Sequence, residues 1–118
     1  KYISNNKLAK KFFITNIGAD YETPHFKSSD YITNAYKFLN NSNKIDLNEL
    51  FDYNLINIHP HNSKNHVAID KNRLNRLPVA NIFDNFEHGK SGIHNGLKII
   101  KKILKLISHE NSSYNINL

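Results

Sequence analysis

The sequence predicts a helix-rich α+β fold in a single domain, and two patterns support this prediction. The alternation of polar and apolar residues in Asn54-Leu55-Ile56-Asn57-Ile58 is typical of a half-buried strand. Towards the C-terminus, apolar residues recur at the spacing of one helix face: Ile93, Leu97, Ile100, Leu104 and Ile107. A length of 118 residues suits one domain with a modest core. We expect that domain over residues 1–110 and a polar tail over 111–118.

Two helices are predicted before the strand. The first covers residues 4–14, and the segment 15–28 is predicted to be a loop because Gly18 and Pro24 interrupt regular structure. The second helix begins at a capping Ser29, and its apolar residues share one face: Ile32, Ala35, Tyr36 and Leu39. The asparagine-rich run 40–43 ends it, and residues 46–52 predict one or two more helical turns.

After the strand, the sequence predicts a turn at 60–63 and a weaker strand at 66–69, which would complete a small β hairpin. The spacing of Val79, Ile82, Phe83 and Phe86 predicts a helix over 79–86. In the last helix we expect the stripe from Ile93 to Ile107, widened by Ile99, Ile103 and Leu106, to face the core. The exposed side would then carry four lysines: Lys98, Lys101, Lys102 and Lys105.

The charge balance favours a polyanionic partner. The chain has 16 lysines and arginines against 10 acidic residues, which gives a net charge of +6 and a pI of about 9.5. Such a surface attracts nucleic acid, an acidic protein or an anionic membrane. No apolar run approaches the length of a membrane span. Cysteine is absent from the sequence, so a bound metal would need His, Asp, Glu or Asn ligands.

Histidines are concentrated in two parts of the chain. His59, His61 and His66 lie close together, and His88 and His94 precede the last helix. Histidine binds divalent metals and transfers protons near neutral pH. On a basic protein this predicts a nuclease that uses one divalent metal ion, Mg²⁺ or Zn²⁺. One alternative is a metal-independent ribonuclease, for example against tRNA, with His and Lys as acid and base. Another is a non-enzymatic module that binds nucleic acid or protein.

Four segments together resemble a known family. In chain order they are Pro24-His25, Lys44-Ile45-Asp46-Leu47-Asn48, Tyr53-Asn54-Leu55-Ile56 and His88-Gly89-Lys90-Ser91-Gly92-Ile93-His94-Asn95. Over residues 24–105 the chain resembles the AHH-type nucleases of the HNH/endonuclease VII superfamily, C-terminal domains of bacterial polymorphic toxins. The family has His-His where this chain has Pro24-His25, and Gly where it has Leu55. The resemblance implies a toxin nuclease with a ββα core, a hairpin and a helix that hold one metal ion.

These observations predict a site. The catalytic residues are His94, His88 and His25, with Asn54 as an orienting group. The substrate would be bound by basic side chains: Lys90, Lys98, Lys101, Arg73 and Arg76. The metal would be held by histidines: His88, His94, His59 and His61. Free N–H groups at the start of the last helix would favour a phosphate. A half-buried, hydrogen-bonded histidine at the core edge is the structural alternative for His94.

The expected partners follow from this function. They are a nucleic-acid substrate and an acidic immunity protein that covers the positive active-site face in the producing cell. We expect no membrane span and, apart from the immunity protein, a monomer. Because the chain begins at Lys1 rather than Met, we expect it to be delivered as part of a larger toxin. It would act in the cytoplasm of the target cell.

Overall fold

The computed structural model describes residues 9–40, 45–59 and 65–116, with side chains up to Glu110. The described residues form a compact α+β domain, the class that the sequence predicts. Its elements in chain order are β1 (Phe12–Ile14), α1 (Ser28–Leu39), α2 (Leu47–Leu50), β2 (Tyr53–Asn57), α3 (Lys71–Asn75), β3 (Ala80–Asp84) and α4 (Gly96–Ile116).

The three strands form a parallel sheet in the order β1-β2-β3. Tyr53 lies between Phe12 on one side and Ala80 on the other. Parallel neighbours require a crossover connection, and helices lie between consecutive strands of this sheet. The predicted β hairpin is therefore wrong. The expected strand at 66–69 is reduced to a single bridge between His66 and Gly18, and the expected turn at 60–63 lies outside the described residues.

Two of the predicted helices are strands. The described part of the segment 4–14 contains β1, whose Phe12 and Phe13 pack on opposite faces of the sheet. The segment 79–86 contains β3. Short runs of bulky apolar residues fit the helical period and the alternating period of a strand about equally well, so periodicity could not distinguish a helix from a strand in these segments. Strand β2, α1 and the last helix were predicted correctly in type.

Each face of the sheet supports its own core. On one face, α1 and α2 pack through buried apolar residues: Ile32, Leu47, Leu50 and Phe51. On the other face, α4 packs through a second cluster: Ile17, Leu55, Phe86 and Ile99. Residues 54–57 of β2 are buried because both faces of this central strand are covered.

The last helix faces the core with a different side from the one predicted. Ile99 is buried, and Ile103 and Leu106 pack against the core beside it. The predicted core stripe is largely exposed, with Ile93, Leu97, Ile100 and Leu104 at 64%, 63%, 56% and 61%. The helix also continues to Ile116, past the predicted start of the polar tail.

Two of the four lysines of α4 contact β3 or the segment that follows it. The Lys98 ammonium donates to the backbone carbonyl of Glu87 at 2.8 Å. The Lys102 ammonium lies 2.6 Å from a carboxylate oxygen of Asp84 at the end of β3. Both side chains therefore turn towards the sheet, whereas Lys101 and Lys105 are exposed. The prediction that all four lysines cover the far side is wrong for these two.

Candidate functional site

The candidate site lies beyond the carboxyl ends of the three parallel strands. In open parallel sheets this edge is where ligands usually bind. The segment after β1 meets the segment 65–67, because the Val67 N–H donates to the Ile17 carbonyl at 2.8 Å and the Ala19 N–H donates to the Asn65 carbonyl at 2.8 Å. The segment after β3 reaches the same edge and carries Glu87.

Glu87 joins the chain segments at this edge. Its carboxylate accepts hydrogen bonds from the Nε2–H of His66 at 2.6 Å and from the Gly92 N–H at 2.7 Å. The Asn57 amide at the end of β2 donates to the other oxygen at 3.3 Å. Glu87 is 2% exposed and His66 is 8% exposed, so these charge-assisted contacts are shielded from water.

The surroundings of Glu87 keep it ionised. Burial by itself raises the pKa of its carboxyl group. Hydrogen bonds from His66, Gly92 and Asn57, together with the charge of His66, lower the pKa by more, so the net value lies below the ordinary one. Glu87 is therefore a carboxylate at neutral pH.

Asn57 connects this carboxylate to the sheet. Its side-chain oxygen accepts the Phe86 N–H at 2.7 Å, while its amide donates to Glu87. His59, which follows β2, contacts the Val67 carbonyl through Nε2 at 3.2 Å. Its ring centroid lies 4.7 Å from that of His66. The structure thus places two of the clustered histidines beside each other.

His94 lies at the same edge, in the loop between Glu87 and α4. It forms an isolated bridge with Glu87, and its Nε2 lies 3.0 Å from the Thr15 carbonyl oxygen after β1. The intervening loop turns at Gly89 and Gly92, which have φ angles of 60° and 75°. Such positive values strongly favour glycine. His94 is half-buried and hydrogen-bonded, which also fits its structural alternative.

An open cavity of about 320 Å³ lies against His94. Its lining comes from the segment after β1 and from the loop before α4: Asn16, Ile17, Gly18, Ala19, Asp20, Tyr21, Gly92 and His94. The two loops meet at glycines, because a Cβ atom on Gly18 would lie 3.1 Å from the Gly92 carbonyl oxygen. Tyr21 at this cavity is fully exposed. The cavity therefore has an open entrance and a histidine, a residue type that can transfer protons, in its lining.

The start of α4 differs from the predicted phosphate site. The Asn95 side-chain oxygen accepts the N–H groups of Leu97 at 3.1 Å and of Lys98 at 3.3 Å. Asn95 thus acts as the helix cap. These two N–H groups already have an acceptor within the chain, so an anion would have to displace Asn95.

The other predicted catalytic residues do not converge on this cavity. His25 is exposed in the loop before α1, and His88 is exposed in the turn before His94. Asn54 has no exposed surface and lies in a polar chain across the sheet. It accepts the Thr15 hydroxyl at 2.7 Å and donates to Asn81 at 3.2 Å. Asn54 therefore orients neighbouring strands and has no surface for a substrate.

The predicted substrate-binding residues are dispersed. Lys90 is exposed in the turn next to the cavity, and Lys101 is exposed on α4. Lys98 is tied to the Glu87 carbonyl, as described above. Arg73 on α3 lies 3.1 Å from Asp30 and 3.6 Å from Asp70, so its charge is largely balanced by neighbouring acids. Arg76 follows α3 and is exposed.

The predicted metal ligands are only partly visible. His61 lies outside the described residues. Within the described ranges, no three metal-ligating side chains of His, Asp or Glu are close enough to hold one ion. His59 and His94 each place Nε2 against a backbone carbonyl, which leaves Nδ1 as the ring nitrogen that could bind an ion. The described side chains do not by themselves form the single-ion centre that the resemblance implies.

Sequence analysis did not single out Glu87, and it missed Asn57 and the part played by His66. His66 and Glu87 are 21 positions apart, and no spacing rule joins them. A usable signal existed in Glu87 itself. A carboxylate at the carboxyl end of a parallel strand is a typical site residue, but assigning residues 79–86 to a helix hid this position.

Two further findings bear on function. No helix in the described part of the chain is both long and apolar enough to cross a membrane. In comparisons with known proteins, no family model, curated protein or solved structure matches this chain.

Proposed function

We propose that this chain is a toxin-type nuclease that cleaves phosphodiester bonds in DNA or RNA, with His94 as its proton-transferring residue. One observation carries the proposal: His94 lies at an open cavity on the carboxyl edge of a parallel sheet, and its backbone forms a bridge with Glu87, whose buried carboxylate pairs with His66. The net charge of +6 supports an anionic substrate. The resemblance to the AHH-type nucleases stays a prediction.

The hydrogen bond of His94 sets its chemical role. Because Nε2 faces a carbonyl oxygen, it carries the proton, and the neutral ring has its lone pair on Nδ1. Nδ1 can take a proton from water or from a ribose 2′-hydroxyl. The deprotonated oxygen forms the new P–O bond, the ester P–O bond breaks, and the leaving oxygen takes a proton from water. The Thr15 carbonyl then stabilises the imidazolium.

Two other groups support this step. Lys90 lies in the turn between Glu87 and His94, and its exposed ammonium is available to a phosphate. Glu87 acts as a positioning residue, because it holds Gly92 two residues before His94. His25 and His88, which the sequence also predicted to be catalytic, are assigned no step in this proposal, because both are exposed and outside the cavity lining.

The test is cleavage of plasmid DNA, total RNA and tRNA by the folded protein. We expect His94→Ala to lower the rate at least about 100-fold, the usual contribution of a general base. His109→Ala is the matched control, because this exposed histidine on α4 lies away from the cavity, and it should keep the wild-type rate. Equal rates for His94→Ala and wild type would remove His94 from the mechanism.

The need for a metal is decided by the same assay with Mg²⁺, Zn²⁺ or EDTA. The arrangement of described donors favours the metal-independent alternative, so we expect activity in EDTA. A pH profile that is the same with and without EDTA would support acid–base catalysis without an ion. Loss of activity in EDTA, restored by one ion, would return the proposal to the single-ion mechanism with His88, His94, His59 and His61 as candidate ligands.

The remaining outcomes concern partners. Absence of cleavage with every substrate and ion would leave the non-enzymatic binding module. If the chain is a toxin, we propose that an acidic immunity protein covers the cavity face, where Lys90 contributes positive charge. We also propose delivery within a larger protein to the target-cell cytoplasm. A bound immunity partner that is basic, or that leaves His94 accessible, would contradict the electrostatic argument.

A further inference from the structure

The tyrosines whose side chains the structure describes differ in their surroundings. Three place the hydroxyl group within hydrogen-bond distance of another residue: Tyr31, Tyr36 and Tyr53. Tyr21 is instead 100% exposed, although it lines the cavity at His94. An aromatic ring that stays wholly in water gains no burial from folding. Both faces of the Tyr21 ring are therefore available to a ligand of this cavity.

The backbone that presents Tyr21 is a closed turn. The Thr23 N–H donates to the Asp20 carbonyl at 3.3 Å, which places Tyr21 at the second position of the turn. The Glu22 N–H donates to the Asp20 carboxylate at 3.1 Å, a contact that is typical of aspartate at the start of a turn. The position of Tyr21 is thus set before a ligand binds, which lowers the cost of ordering it on binding.

The two chain segments that form the cavity carry unlike charge. The loop before α4 contributes His94, and Lys90 lies in the exposed turn of this loop. The segment after β1 contributes the carboxylate of Asp20, and Glu22 is exposed close to it in the chain. A phosphate is attracted to the first segment and repelled by the second. A nucleotide in this cavity would therefore lie with its phosphate at His94 and its base towards Tyr21.

We propose that the cavity binds an unpaired base of a single-stranded nucleic acid, stacked on the ring of Tyr21. This inference rests on the proposed nuclease function for the direction of the strand. The cavity volume of about 320 Å³ is at the lower end of the range for small-ligand sites, about 300–1,000 Å³, which suits one nucleotide. Bases inside a duplex already stack on both faces, so an exposed ring gains a stacking partner only where a base is unpaired.

The local charge opposes other contacts of this surface. Tyrosine is common at membrane interfaces, but the carboxylates of Asp20 and Glu22 are repelled by an anionic membrane. The same two carboxylates oppose a phosphate backbone that would run along the segment after β1. Stacking on Tyr21 does not depend on charge, and every base offers a face for it. The substrate class is therefore single-stranded DNA or RNA, including the loops of folded RNA.

The first test measures the Kd of short labelled single strands by fluorescence anisotropy. Their linkages are phosphorothioates, which keep the charge and resist cleavage, so binding is measured apart from catalysis. We expect Tyr21→Ala to raise the Kd about 5- to 100-fold, the contribution of one stacked base. Tyr21→Phe keeps the ring and should bind like wild type. So should the matched control Phe38→Ala, which removes a ring that is 82% exposed on α1, outside the cavity lining.

The second test separates stacking from electrostatic attraction. An abasic single strand of the same length carries the same phosphates without bases. It should bind wild type more weakly than the intact strand, and Tyr21→Ala should not weaken it further. A blunt duplex of the same sequence should likewise bind wild type and Tyr21→Ala with equal affinity. Because the Tyr21 ring is fully exposed, Tyr21→Ala should unfold in urea like wild type.

Three results would overturn the proposal. The first is that wild type binds no single strand, and the second is that Tyr21→Ala binds it as tightly as wild type. The third is an equal loss of affinity for the abasic strand in Tyr21→Ala. Failure of the nuclease proposal gives different results. Binding that depends on Tyr21, in a protein that cleaves nothing, keeps the base site and removes the nuclease. Cleavage of single strands that Tyr21→Ala leaves unchanged at low substrate concentration keeps the nuclease and removes the stacked base.

Discussion

Replacement of Glu87 by glutamine tests whether its buried carboxylate holds the three segments of the sheet edge together. The substitution preserves size and shape but removes the negative charge. The glutamine oxygen can still face His66 and Gly92, and its amide nitrogen then opposes the Asn57 amide, so two donors meet. The protein thus exchanges two charge-assisted hydrogen bonds for neutral ones and loses a third.

The magnitude follows from these three contacts. A hydrogen bond to a charged group contributes about 1.5–3 kcal/mol and a neutral one about 1 kcal/mol, so two weakened bonds cost about 1–4 kcal/mol together. The opposed Asn57 amide adds about 1 kcal/mol. Because Glu87 is 2% exposed, solvent does not screen the loss. We expect Glu87→Gln to lower the free energy of unfolding by about 3 kcal/mol at pH 7.

Urea denaturation followed by circular dichroism measures this change. Glu22→Gln is the matched control, because Glu22 is exposed, and its unfolding free energy should stay within about 0.5 kcal/mol of wild type. A loss below about 1 kcal/mol for Glu87→Gln would show that the carboxylate does not tie the segments together.

The pH dependence provides a second check on the same residue. The pKa of Glu87 is lowered in the folded protein. Its stabilisation is therefore present above the unfolded pKa of about 4.3 and is lost as the pH falls through the folded pKa. The difference in unfolding free energy between wild type and Glu87→Gln should shrink as the pH is lowered from 6 towards the folded pKa. A difference that stays constant over this range refutes the assignment of the charge.

Three further predictions concern other contacts. Asn54→Ala should lower the unfolding free energy by about 2 kcal/mol in urea denaturation, because it interrupts the buried polar chain across the sheet; a neutral effect would argue against that chain. Burial and the hydrogen bond to Glu110 raise the pKa of Tyr53 to about 12, so an ultraviolet titration should show no phenolate from this residue at pH 11. The contribution of Tyr53 to the unfolding free energy should be complete below pH 10 and should be lost as the pH rises through 12. The hydrogen bond from Lys102 lowers the pKa of Asp84, and Lys102→Met should raise it towards its ordinary value in an NMR titration; an unchanged value would mean that this contact is not formed in solution.

The candidate site could be predicted only in part. His94 was identified from its place beside an amphipathic helix, and the structure brings it to a cavity. His25 and His88 were selected from the family resemblance and, for His88, from the clustering of histidines, and neither determines distance in space. The pairing of Glu87 with His66 and Asn57 lay beyond sequence reasoning, because these partners come from other segments of the chain.

The sequence by itself determined the α+β class, the basic charge, strand β2 and the helical type of α1 and α4, since these depend on composition and local periodicity. Only the tertiary structure decided the parallel order of the strands, because alternation identifies a strand but not its neighbour. It also decided which side of α4 is buried. Seven of the eleven residues from Leu97 to Ile107 are apolar, so periodicity allows either side. In the structure Ile99 is buried in the core, and Ile103 and Leu106 pack against it.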